Sequence, residues 1–296
     1  MPAFDTPEPV SATFELEVGT ARIAAGKRTD TVVEVLPRNG SDEDDVRAVQ
    51  QTQVTCSGGR LTVRMPKKRS PFGKPGAIEV SVELPAGSDV RGASALGGFF
   101  CEGPLGEVTL KTSLGDLQVE ESAGADLRTD HGDIRLARST GDAEVVGSGR
   151  IEVGTVAGTA TVKNGNGTTA ISEVTGGLKA KAANGDISVG VAHGSVSAKA
   201  ANGRIEVGVA HAGVDAVSSN GRIRVSDATR GRIVLRTSVG DLEVGIHEGT
   251  AAWLDLNPRF GTVRNSLGTA AGPGDSEETV EVHARTGAGD IIVRRA

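Results

Sequence analysis

The chain reads as an all-β protein, a right-handed parallel β-solenoid of the β-helix kind. Its coils take about 18 residues and two short strands each, behind a strand-rich N-terminal cap. Three observations predict it. A glycine followed by an apolar-x-apolar triplet recurs eleven times at near-constant spacing. A second strand-like beat follows most copies about nine residues on. Finally, with 42 glycines, one Trp, six Phe and no Tyr, burial must come from Val, Ile, Leu, Ala and Thr in thin layers.

The motif glycines are Gly97, Gly115, Gly132, Gly149, Gly167, Gly185, Gly203, Gly221, Gly240, Gly261 and Gly289, as in "ANGDISV" and "ANGRIEV". Their steps run from 17 to 19 residues as far as Gly240, then stretch to 21 and 28. Both beats alternate apolar and polar residues at period two, the signature of short strands. Neither strand buries its apolar face alone, so successive periods must stack, each forming one rung. The inward positions form two aliphatic columns: Leu117, Val119, Ile134, Leu136, Ile151, Val153, Ile187, Val189, Ile205, Val207, Ile223 and Val225. The right hand follows from the general bias of parallel crossovers. A calcium-binding roll would need G-G-x-G-x-D nonapeptides, which do not occur, and a left-handed hexapeptide helix would place one aliphatic every six residues.

Asn166, Asn184, Asn202 and Asn220 each directly precede a motif glycine. Asn-Gly suits a tight corner, and stacked Asn amides can bond along the axis. They are read as a structural turn ladder. One residue after the glycine, and again two further on, neighbouring rungs carry opposite signs: Asp133 over Arg150, Asp186 over Arg204, Arg222 over Asp241, Glu206 over Arg224. Such pairs fix register more than they stabilise.

Residues 1–92 lack the motif and are expected to form a β-rich cap. "ATFELEVGTARIAA", "DTVVEVLP", "GRLTVRM" and "AIEVSVELP" read as strands; "SDEDDVRAVQQT" reads as one short helix from Ser41, docking through Val46 and Val49. Residues 93–248 form the regular coils and 249–296 the irregular closing ones. "SLGTAAGPGDSEE" (266–278) is an acidic Gly-rich loop, and Arg294-Arg295 are expected to place charge on the closing edge.

The serial "NGDISV" and "NGRIEV" copies, preceded by an aliphatic strand ending at Leu84-Pro85, make the chain similar to the bacterial putative adhesin family of β-strand-repeat domains, from about Phe14 to Arg294. That resemblance implies a β-helix-like solenoid and an adhesin-like role. It carries over no catalytic residue.

The net charge of −6 and the scarcity of aromatics argue against nucleic acid as a partner. Lys67-Lys68-Arg69 reads as a solvated loop. No apolar run approaches a membrane span, and no apolar signal core opens the chain, so the expected compartment is the cytoplasm. Cys101 falls on a core position; Cys56 is expected nearer the surface, and two cysteines make no disulfide framework. His193 and His211 occupy equivalent positions on adjacent rungs and are a weak candidate for a metal pair, the column continuing to Thr229 and Glu248. Asp116 and Asp133 are stacked carboxylates, the minimum for a carbohydrate-active enzyme, yet no row of sugar-stacking aromatics accompanies them. The expectation is therefore a non-catalytic scaffold without cofactor, docking an unidentified protein partner or self-associating. Arg204, Arg222, Arg224, Asp186 and Glu206 are the candidate binding surface. The alternatives are a self-assembling structural element and, less favoured, a carbohydrate-active enzyme.

Overall fold

In the motif strand, the isoleucine or leucine two residues after the glycine and the aliphatic residue two further on must share one face. In a computed structural model, which describes residues 2–65, 76–268 and 278–296, they do, and that face is the core. All twelve predicted inward positions are buried, none more than 2% exposed. The 67–69 basic triplet and most of the 266–278 loop lie outside the described residues. Contacts divide the chain into two units, 1–148 and 149–296.

The first unit contains β1 (Ala3–Asp5), β2 (Ser11–Gly26), β3 (Asp30–Pro37), α1 (Glu43–Gln51), β4 (Gln53–Ser57), β5 (Arg60–Arg64) and β6 (Ile78–Pro85). It continues through β7 (Asp89–Leu96), β8 (Phe99–Leu114), β9 (Leu117–His131), β10 (Ile134–Ser139) and β11 (Ala143–Gly147). From β7 to β11 each coil lies parallel on the one before it, Phe99 beside Leu117 and Leu117 beside Ile134. The long strand β2 spans a whole coil. Its first half pairs in parallel with β5 on one side and β7 on the other; its second half lies between β6 and β8. Chain order and stacking order therefore differ at this end. The parallel run stops where β4 lies antiparallel on β5 and β3 antiparallel on β6, with β1 beyond β3.

The helix begins two residues later than the sequence suggests, at Glu43. Asp42 is its cap, accepting the Asp44 N–H at 2.9 Å. Its buried face is also not the expected one: Asp45 and Ala48 are buried, while Val46 and Val49 are half-buried. Asp45 is drawn inward because its two oxygens accept the backbone N–H groups of Ala77 (2.6 Å) and Asn39 (2.9 Å). A sequence pattern that counts only apolar residues misses a carboxylate buried to satisfy backbone donors.

The second unit begins with β12 (Ile151–Val156), β13 (Ala160–Asn166), β14 (Thr169–Val174), β15 (Leu178–Asn184), β16 (Ile187–Ala192) and β17 (Val196–Asn202). It goes on through β18 (Ile205–Ala210), β19 (Val214–Asn220), β20 (Ile223–Ala228), β21 (Gly231–Val239) and β22 (Leu242–Ile246). The last strands are β23 (Thr250–Phe260), β24 (Val263–Asn265), β25 (Glu278–Ala288) and β26 (Ile291–Arg295). Two parallel ladders result. Even-numbered strands β12 to β22 stack Thr169 on Ile151, Ile187 on Thr169 and so on to Leu242 on Ile223; odd-numbered strands β13 to β21 stack Val196 on Leu178 and Val214 on Val196. The expected parallel solenoid, two strands to a coil, is the observed one.

The last coil is out of order. β25 and β26 slide between β21–β22 and β23–β24, so the border of this unit is the coil 250–265, not the chain's end. Arg294 and Arg295 are accordingly not on the closing edge. Arg294 Nε donates to Glu243 Oε1 at 3.1 Å, and Arg295 donates to the carbonyls of His247 and Thr250, both at 2.9 Å. Trp253 (58% exposed) and Phe260 (67%) stand on the border coil instead.

Candidate functional site

All eleven motif glycines have positive φ, and no other residue type among the described residues does. At Gly203 φ is +151°, and a Cβ would stand 2.1 Å from the Gly185 carbonyl oxygen of the coil before. Glycine is thus required twice over at the corner. This phases every other side chain.

Immediately before the glycines the asparagine ladder forms as expected. Asn184, Asn202 and Asn220 each donate from Nδ2 to the Oδ1 of the preceding Asn, at 2.9, 3.0 and 3.0 Å. Immediately after them, an Asp side chain accepts the backbone N–H of its successor in the next coil. Asp116 takes that of Asp133 (2.9 Å), Asp186 that of Arg204 (2.8 Å) and Asp241 that of Asp290 (2.9 Å). Asp116 thereby caps the Asp133 backbone N–H at the corner.

A third corner device was missed. Three residues before the motif glycine lie Thr112, Thr129, Asn164, Ser218, Thr237 and Thr286, all buried. Each donates its side-chain hydrogen to the carbonyl of the motif glycine one coil back, as Thr112 does to Gly97 (2.8 Å) and Thr286 to Gly240 (2.9 Å). The recurrence of a short polar residue at that offset was the available signal.

Of the predicted outward pairs, Asp186 and Arg204 meet, with Nη2 to Oδ2 at 2.8 Å. The guanidinium and then the Arg204 N–H hold the Asp186 carboxyl below its ordinary range. Arg222 and Arg224 do not turn to Asp241 and Glu206. Both reach Glu243, which Arg294 also contacts. Glu206 and Arg224 are register neighbours by backbone only. The reason is electrostatic: Glu243 is 7% exposed, and a carboxylate so placed needs cations within reach. Burial raises its pKa, but Arg294, Arg224 and Arg222 together outweigh burial and lower it.

His193 and His211 stack with ring centroids 5.1 Å apart and planes 17° apart. A register shift between Val225 and Ala228 puts His247, not Glu248, next in their column after Thr229. His193 Nε2 lies 3.0 Å from Glu173, and His247 Nδ1 lies 3.0 Å from Asp227. An open cleft of about 650 Å³ runs past the three rings to Arg230, Glu248 and Glu278. Among the described residues no group of three or more His, Cys, Asp or Glu is placed to hold a metal ion. Cys101 is buried, its thiol pushed up to about 12 by burial; Cys56 is half-buried.

The corner with its positive-φ glycine, capping Asp and stacked Asn spans the region that matches the family model described as Toastrack DUF4097, over residues 19–246. The chain belongs to the Toastrack DUF4097 family. The Toastrack match runs from the second half of β2 to the end of β22, and so leaves out the border coil and the coil inserted before it. No relative is found among curated proteins. Solved structures resemble this Toastrack chain along nearly its whole length at low identity. A putative cell adhesion protein from Clostridium sporogenes shares 10% identity, covering 100% of this chain and 98% of its own, with a TM-score of 0.23. A putative adhesin from Bacteroides fragilis shares 15%, covering 99% and 95%, at 0.30. One from Parabacteroides distasonis shares 10%, covering 100% and 95%, at 0.29. TM-scores this low leave the fold argument with the Toastrack match. No helix among the described residues is long and apolar enough to cross a membrane.

Proposed function

We propose that this chain is a non-catalytic display scaffold, adhesin-like in that it docks a partner protein through outward side chains of the coils 151–246. One observation carries the reading. The position that recurs in every motif coil, the glycine, is spent on the corner, and where Asn precedes it or Asp follows it, as at Asn202 and Asp186, that side chain bonds the neighbouring coil. What differs from coil to coil is the outward face, where Glu206 and Arg224 stand on the strands and Arg204 and Arg222 follow the corner glycine. A scaffold that holds its frame constant and varies its surface suits recognition.

The test is affinity capture with the protein and its Arg204→Glu/Arg222→Glu/Arg224→Glu variant, followed by direct binding of the purified partner. A partner bound by the first and lost by the second, at matched folding by circular dichroism, supports the reading. Turnover on a polysaccharide panel would overturn its non-catalytic part.

Self-association is a second reading, favoured by one observation. Among the described residues, β23 and β24 pair on one side only, with Trp253 and Phe260 exposed. Sedimentation across a concentration series decides it, and a constant monomer mass would remove it.

A further inference from the structure

On the outer face of the odd-numbered strands, register stacks Lys163 on Lys181 and Lys181 on Lys199. After one gap at Val217, the same column resumes with Arg236 and Arg285. Lys179 stands two residues from Lys181 on the same face. β13, β15 and β17 carry no acidic residue, in a chain whose net charge is −6. Nearby Asp215 is taken by Arg236 at 3.1 Å. Like charges stacked one rung apart, about 4.8 Å, oppose folding. Lys181 stacked on Lys199 thus works against the fold that carries it.

Alongside the ridge runs an open trough of about 720 Å³ crossing five coils. It is floored by small residues such as Gly177 and Gly213 and edged by the hydroxyls of Thr161, Ser195 and Ser197. No aromatic side chain lines it. A nucleic acid would call for stacking platforms, and a neutral glycan would call for ring faces. A row of cations at rung spacing beside a row of hydroxyls fits a linear polymer that has both hydroxyls and regularly spaced negative charges.

We propose that the Lys163–Lys181–Lys199 ridge and its trough bind an acidic polysaccharide with one carboxylate per sugar unit, laid along the stacking axis across the strands. This goes beyond the protein-docking reading and uses a different face, so either fails without the other.

The experiment is affinity electrophoresis of the full chain through gels containing polygalacturonate. Neutral dextran, single-stranded DNA and vesicles of anionic phospholipid serve as parallel arms. The expected result is retardation by polygalacturonate alone that weakens as salt rises. Lys181→Glu/Lys199→Glu is expected to weaken it about tenfold or more. A second variant, Gly177→Gln, fills the trough without touching the charges. A Cβ there meets nothing nearer than 3.8 Å, so the chain folds and retardation falls. Lys181→Gln/Lys199→Gln should lose retardation with a melting temperature no lower than the parent's, which separates loss of binding from loss of fold. Equal retardation of parent and lysine variants would overturn the proposal. So would no retardation at low salt, or tighter binding to DNA or vesicles than to polygalacturonate.

Discussion

Asp186 holds Arg204 twice: Oδ1 accepts the Arg204 backbone N–H at 2.8 Å, while Oδ2 accepts its Nη2, also at 2.8 Å. One side chain thus fixes both the backbone register and the outward pairing of successive coils. Its folded pKa is lowered below 3.8 by the Arg204 side chain and then by the Arg204 N–H. The stability it contributes is therefore complete above the unfolded value and is lost as pH falls through the folded one. Asp186→Asn keeps an acceptor for the N–H and removes the ion pair, at a cost of about 0.5 kcal/mol at neutral pH. Asp186→Ala loses both, about 1.5 kcal/mol. Thermal melts from pH 7 to pH 3 should show the Asn variant converging on the parent at the acid end.

Glu243 answers to three arginines. Glu243→Gln leaves Arg222, Arg224 and Arg294 facing one another without a countercharge. Because those arginines are only 36–43% exposed, yet not buried, the expected loss is about 2 kcal/mol, below the range for a fully buried pair. Urea unfolding should show this loss exceeding that of Arg222→Ala, and added salt should narrow the difference.

The ladder asparagines and the glycines beside them should behave differently. Asn202→Ala removes two exposed side-chain hydrogen bonds, the one it donates to Asn184 and the one it accepts from Asn220, for about 1 kcal/mol. Gly203→Ala sets a methyl 2.1 Å from a backbone oxygen at a φ of +151°. It should cost about 3 kcal/mol or more, or prevent folding. Paired melts of the two variants measure the contrast.

The legible part of the sequence was what each coil repeats within itself. Period, glycine phase, inward columns and the Asn184–Asn202 stacking all follow from local pattern, because a coil's own residues decide which side faces in. Which coil lies on which was not legible. β2 between β6 and β8, and β25–β26 between β22 and β24, obey the same motif grammar as any neighbour would. Pair choices across coils failed for a related reason. Arg222 and Arg224 both choose Glu243, since a nearly buried carboxylate outcompetes the exposed Asp241 and Glu206. The histidine column slipped by one residue because a register shift near Ala228 leaves no mark in composition.

Cys101 and Cys56 offer a probe of opening. With its thiol pushed to about 12 and its side chain in the core, Cys101 should react with a thiol reagent only on unfolding. Cys56 should react faster in the native protein. Labelling time courses with mass readout, with and without denaturant, check the order.

The stacking of one coil on the next is tested by paired cysteines in a Cys56→Ser background. Asn184 and Asn202 are register partners on adjacent rungs, within disulfide reach, while Asn184 and Asn220 are two rungs apart and beyond it. Mild oxidation should close Asn184→Cys/Asn202→Cys in the folded protein and leave Asn184→Cys/Asn220→Cys open. Folded protein in which the first pair stays reduced, or the second closes as readily, would contradict the one-coil-per-period fold.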